Sequence, residues 1–170
     1  MEALLHFVLP LLAFTLLGVK PRKAFPLALL GVLPDLDVLF LVHRSLSHSL
    51  IIIGLASFPF FLLSFVLKPR TLRTVWLGFL SVASHPILDL FSGYTPILWP
   101  LHPYSLWVEA GLDGFFGSGV RFQLELEVHQ IPTVFHRRVM LDAPLFTGPT
   151  LIASLVLLTP LIYRMLKESL

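Results

Sequence analysis

Six residues of the types that ligate divalent metal ions are set among long apolar runs: His6, Asp35, Asp37, His48, His85 and Asp89. An Asp carried to the centre of a bilayer costs about 2.5–3.5 kcal/mol on insertion scales. Three such carboxylates need neutralising, and a cation bound by imidazole nitrogen and carboxylate oxygen is the simplest means. His85 and Asp89 stand four apart, so on a helix they share a face and can grip one ion or bridge two. Asp35 and Asp37 stand two apart, which on an ideal helix points them to nearly opposite sides. Pro34 and Gly31 predict an irregular helix there. A broken turn turns both carboxylates to the site. Otherwise Asp35 is the direct ligand and Asp37 orients a neighbouring histidine. His48 is the preferred ligand in the segment from His43 to Ser49. Arg44, with His43, is a candidate for an anionic substrate group, and equally an interfacial anchor.

The elements that would position these residues follow from composition. Of 170 residues, 13% are charged and 56% are hydrophobic, against about 25% charged in soluble domains. This predicts a single membrane-embedded domain over 1–170, an all-α polytopic bundle of about five transmembrane helices. The apolar runs place them at about 3–19, 24–42, 46–67, 75–91 and 149–165. The first is expected to be retained, since no basic residue precedes Lys20 and a signal peptide begins with a basic region. Residues 92–148 form an extracytoplasmic region with a small strand-containing insertion. There Val120 to His129 alternates apolar and polar, the period of a half-buried strand, with Gly114, Gly117 and Gly119 before it and Pro132 after it.

Lys20, Arg22, Lys23, Lys68, Arg70, Arg73, Arg164 and Lys167 gather on one side of such a bundle, against Arg44, Arg121, Arg137 and Arg138 on the other. The positive-inside bias makes the first side cytoplasmic, and Tyr94, Trp99, Tyr104 and Trp107 suit an aromatic belt on the outer side. All six candidate ligands then fall near one depth at the outer face, although a lone intramembrane histidine is more often a packing hydrogen bonder. His102, His129 and His136 are expected at the surface. The Phe-rich stretch with Phe58, Phe60, Phe61 and Phe65 is expected to contact lipid or pack the core. A net charge of +2 and no long basic run argue against nucleic acid. Absence of cysteine excludes disulfides and thiolate metal sites.

Leu33-Pro34-Asp35-Leu36-Asp37, His43-Arg44-Ser45-Leu46-Ser47-His48-Ser49, Ser84-His85-Pro86-Ile87-Leu88-Asp89 and Gly93-Tyr94-Thr95-Pro96-Ile97-Leu98-Trp99-Pro100, with His6 before them, resemble the YdjM-like family over about residues 1–113. That resemblance implies an inner-membrane, metal-dependent hydrolase. The His-x-x-x-Asp element is also similar to one in zinc-dependent phospholipase C enzymes. The expected function is hydrolysis of a lipid or lipid-linked ester or phosphoester at the outer face of the cytoplasmic membrane. One or two ions, zinc first and manganese or iron as alternatives, would be held by His6, Asp35, Asp37, His48, His85 and Asp89. Asp35, Asp37, His48 and Asp89 would take part in catalysis, and Arg44 and His43 would bind substrate. The rival readings are a metal-stapled structural or assembly protein and an ion or proton transporter.

Overall fold

A computed structural model describes residues 2–42, 44–66, 69–117, 119–137 and 145–169. Five α-helices lie among them: α1 (Ala3–Leu16), α2 (Pro21–Leu29), α3 (Leu50–Val66), α4 (Pro69–Asp89) and α5 (Gly148–Ser169). Two 3-10 segments, Leu30–Phe40 and Leu46–His48, lead from α2 into α3. Strands β1 (Tyr104–Phe116) and β2 (Val120–Pro132) pair antiparallel between α4 and α5.

No described helix is long and apolar enough to cross a membrane. This overturns the expected all-α polytopic bundle of five transmembrane helices, and the reasons are local. The first apolar run stops at Leu16 because Gly18 takes φ +78°. Its amide reaches the Thr15 carbonyl at 3.1 Å and the Val19 amide reaches the Phe14 carbonyl at 2.9 Å, the paired bonds of a Schellman stop. Pro21 then opens α2 at its first turn, where a missing N–H costs nothing. The second run is divided: α2 has 9 residues before the backbone tightens to 3-10 at Leu30. Helix α3 has 17 residues, about 25 Å at 1.5 Å each, short of a hydrocarbon core of about 30 Å. Helices α4 and α5 are longer, with 21 and 22 residues. The first begins with Arg70, Thr71, Arg73 and Thr74, and the second ends with Arg164, Lys167 and Glu168.

Leu11 and Phe14 of α1 pack on Ala24 and Ala28 of α2, with Leu77 of α4 and Leu158 and Leu161 of α5 closing the cluster. The strand expected at Val120–His129 is present and runs on to Pro132; it pairs as a hairpin with β1, whose span the sequence did not locate. The first turn of α5 is tied to the start of α1. The Thr147 amide and hydroxyl donate to the Glu2 carboxylate at 2.6 and 2.8 Å, and the Thr150 hydroxyl donates to it as well. Loss of hydration pushes the Glu2 pKa up, but the hydrogen bonds from Thr150 and Thr147 win and hold it below the ordinary carboxylate value. A depressed acid stabilises above its unfolded pKa and loses that contribution as pH falls through its folded one. Amide exchange at Leu4 and Thr147 is therefore expected to accelerate as pH drops below about 4, once the intrinsic exchange rate is corrected for. Glu2→Gln is expected to remove that pH dependence.

Candidate metal centre

The long 3-10 segment brings the two acids of Pro34-Asp35-Leu36-Asp37 to one side. Pro34 lacks an N–H and its ring crowds the preceding turn of an α-helix. At 3.0 residues per turn, positions two apart diverge by about 120°, against about 160° on an α-helix. Both carboxylates then reach His48: Asp37 Oδ2 lies 3.3 Å from its Nδ1, and Asp35 Oδ1 lies 3.8 Å from its Nε2. Leu41 (φ 59°) and Arg44 (φ 56°) bracket the turn that follows. Left-handed backbone at non-glycine residues costs on the order of 1–2 kcal/mol each, and such strain gathers at functional sites.

His85 and Asp89 arrive from the last turns of α4, and His6 from the second turn of α1. His6, His48, His85 and Asp89 are fully buried and Asp37 nearly so, while the Asp35 side chain keeps 18% of its surface open. The His6 and His85 rings stack with centroids 3.6 Å apart. Gly31 makes this packing possible, because a Cβ there would lie 2.5 Å from the backbone oxygen of His6.

Hydrogen bonding fixes the imidazole tautomers. His85 Nδ1 lies 2.7 Å from the Gly31 carbonyl, which only accepts, so Nδ1 carries the proton. His48 Nδ1 faces the Asp37 carboxylate and donates to it for the same reason. Such contacts orient metal-binding histidines and leave Nε2 with its lone pair. The two Nε2 atoms lie 3.1 Å apart. Asp35 Oδ1 is 3.3 Å from His85 Nε2, and Asp89 Oδ2 is 3.5 Å from His48 Nε2 and 3.8 Å from His85 Nε2. Four electron-pair donors thus converge, and five of their six separations span 3.1–3.8 Å. A tetrahedral ion with arms of about 2.0–2.2 Å has ligands about 3.3–3.6 Å apart. A single proton between the imidazoles would join two of these atoms; a cation between the imidazoles and either carboxylate would touch three.

Around this tetrad, His6 Nε2 lies 3.3 Å from Asp89 Oδ1, and neither buried ring nitrogen of His6 makes a hydrogen bond among the described residues. His6, His85 and Asp89, and separately Asp35, His48 and His85, are groups that could hold a metal ion. Arg44, a candidate substrate residue, turns inward: its Nε is 3.3 Å from Asp89 Oδ2, and its Nη atoms donate to the Tyr94 carbonyl at 3.3 Å and Ser92 Oγ at 2.8 Å. His43 lies outside the described residues. The structure therefore gathers all six expected ligands and adds Arg44. The sequence did not point to the Gly31 carbonyl or to Ser92; the Ser47 hydroxyl, expected near the ligands as a helix cap, donates to Asp37 Oδ2 at 3.2 Å. A glycine inside an apolar run next to Pro-Asp was the available signal for the first.

The family model described as YdjM inner membrane protein matches residues 1–163. The chain belongs to that family. No curated protein and no solved structure matches it. The YdjM match extends past the four motifs, which end at Pro100, to take in the whole β1–β2 ribbon and most of α5. Membership places the chain among inner membrane proteins, in keeping with the apolar side chains on its exterior, such as Phe65 at 74% and Val66 at 82% exposure.

Gly31→Ala is expected to force α1 away from the 3-10 segment, since the added methyl would meet backbone. The anticipated loss is about 1–3 kcal/mol, measured by thermal unfolding of the protein in detergent micelles.

Proposed function

We propose that this YdjM-family chain is a metal-dependent hydrolase that cleaves an ester or phosphoester of a lipid or lipid-linked substrate. The observation that carries the reading is the convergence of His48, His85, Asp35 and Asp89 beside an apolar cavity. That cavity, about 490 Å³ in volume, is lined by Leu27, Leu33, Ile53, Ala56, Phe60 and Phe79, with Pro34 and Ser47 at its boundary. Pro34 adjoins Asp35 and Ser47 adjoins His48, so an acyl chain in the cavity would bring its head group to the tetrad. A methylene is about the size of a water molecule, roughly 30 Å³, so the space suits a chain of about 16 carbons.

A divalent ion, zinc by donor set with manganese or iron as alternatives, would be held by His48, His85 and Asp89 with Asp35 left to act on water; it would supply Lewis-acid polarisation of the substrate oxygen and lower the pKa of water at the site toward about 7. The chain's own groups do the rest. Asp35, the open member, accepts the proton of the attacking water as the new O–P or O–C bond forms. The ester bond breaks, and the departing oxygen takes that proton back from Asp35. Asp37 and the Gly31 carbonyl hold His48 and His85 in the tautomers that keep both Nε2 lone pairs directed inward. Arg44 donates two of its five N–H bonds, to Tyr94 and Ser92, holds its Nε 3.3 Å from Asp89 Oδ2, and is 17% exposed. Its open edge would receive an anionic head-group oxygen. His6, behind Asp89, is a candidate ligand for a second ion.

Membership of an inner membrane family and the apolar exterior support a site at the surface of the inner membrane. The burial of His48, His85 and Asp89 favours one second reading, an ion that only staples the elements together.

Elemental analysis of the purified protein is expected to find a divalent metal, and His85→Ala and Asp89→Asn are expected to lose it with helical circular dichroism retained. Asp37→Asn is expected to weaken metal affinity by about 10–100-fold, read by chelator competition. Incubated with phospholipids, lysophospholipids and lipid phosphates, the metal-loaded protein is expected to release product from at least one class. If metal binds and nothing is cleaved, the staple reading replaces the hydrolase. Ala56→Trp fills the cavity and is expected to raise KM for long-chain substrates while leaving short-chain ones near the wild-type value.

A further inference from the structure

The β1–β2 ribbon segregates its side chains completely enough to show what covers it. Tyr104 pairs with Pro132 and Phe116 with Val120, without a bulge between, so even-numbered positions of both strands share one face. That face carries Leu112, Phe116, Phe122, Leu124, Leu126 and Val128, with exposures from 62% to 78%. The opposite face carries Glu109, Asp113, Glu125 and Glu127, with Arg121 and His129 among them and Trp107, Phe115 and Ile131 toward its two ends. Each strand has 13 residues, about 44 Å at 3.4 Å per residue. Only the base is anchored: the Val108 amide donates to the Leu90 carbonyl at 2.8 Å, and Thr95 and Leu106 exchange backbone bonds of 2.8 and 2.9 Å.

A two-stranded ribbon is marginal in water by itself, and a contiguous apolar face of this length marks an interaction surface. We propose that the even-numbered face lies on the surface of a lipid bilayer, with its aliphatic and phenyl groups in the boundary between head groups and acyl chains. The charge distribution selects this occupant. Four carboxylates on the odd face are repelled by anionic head groups, so the ribbon has one stable way up, with acids in water and hydrocarbons in lipid. The apolar face also continues into Leu101, 82% exposed, just before β1, and into a chain whose family resides in the inner membrane. The ribbon's base is bonded to Leu90, next to Asp89, so docking would set the His/Asp cluster against the lipid surface whether or not it hydrolyses anything.

The absence of cysteine permits a direct test. Leu124→Cys and Gln123→Cys, neighbours on opposite faces, are each labelled with a nitroxide in protein reconstituted into vesicles of phosphatidylethanolamine and phosphatidylglycerol. Leu112→Cys serves as a second reporter of the apolar face should Leu124→Cys fold poorly. Collision rates with oxygen, which concentrates in lipid, and with a neutral nickel chelate, which stays in water, are read from power saturation. Labels at 124 and 112 are expected to meet oxygen severalfold more readily than nickel, and the label at 123 the reverse. Equal access to nickel at 123 and 124 would overturn the proposal. Protection of 124 from both reagents, with spin–spin broadening between copies, would replace the bilayer with a second copy of the chain.

Discussion

Two imidazole Nε2 atoms face each other at 3.1 Å, with carboxylate oxygens closing around them, and much of the local structure exists to hold them there. The opposite nitrogen of each ring is already engaged, by the Gly31 carbonyl or the Asp37 carboxylate. The rings therefore cannot relieve the crowding by flipping without leaving a buried donor unmet. The departures from regular helix in this half of the molecule adjoin that cluster: an 11-residue 3-10 segment, where such runs rarely exceed 3–4 residues, and two left-handed residues after it. An irregular stretch of backbone is where several side chains from one short sequence can be turned to a common point.

The second organising feature is the separation between this polar centre and its surroundings. Leucine, isoleucine and phenylalanine line the cavity beside it, and the exterior of α3 is largely apolar. Low polarity around charged groups strengthens their mutual interactions and penalises any left uncompensated. Arg44 supplies part of the compensation at Asp89, and Gly93 leaves the room it needs, since a side chain there would collide with the guanidinium. Exposed hydrocarbon and a buried ionic cluster are opposite answers to the same solvent, and a protein of the inner membrane family carries both.

The residues of the site were legible in the sequence because His and Asp are conspicuous in apolar runs. The manner of their convergence was not. A shared membrane depth, derived from five crossings, was the expected cause. No described helix is long and apolar enough to make those crossings, and the cluster forms where the 3-10 segment packs on α4 across Gly31. Hydropathy counts apolar residues and is blind to the Schellman stop at Gly18 and the tightening around Pro34, which cut two long runs into short helices. The alternation of β2 was plain. Strand β1 was obscured by Trp107, Gly111 and Gly114, yet Leu106, Val108, Ala110 and Leu112 keep the same period of two. The inward turn of Arg44 has no sequence signature, because it depends on the backbone of Ser92 to Tyr94 passing close by.

Asp35, His48 and the His85–Asp89 pair belong to three different elements, with α3 lying between the second and third. None of the three can assemble the tetrad in a chain still collapsing locally. Loop closure across that distance has to come first, so the donor atoms meet only when the tertiary arrangement is complete. Any ligand that needs all four would therefore distinguish finished molecules from partly assembled ones.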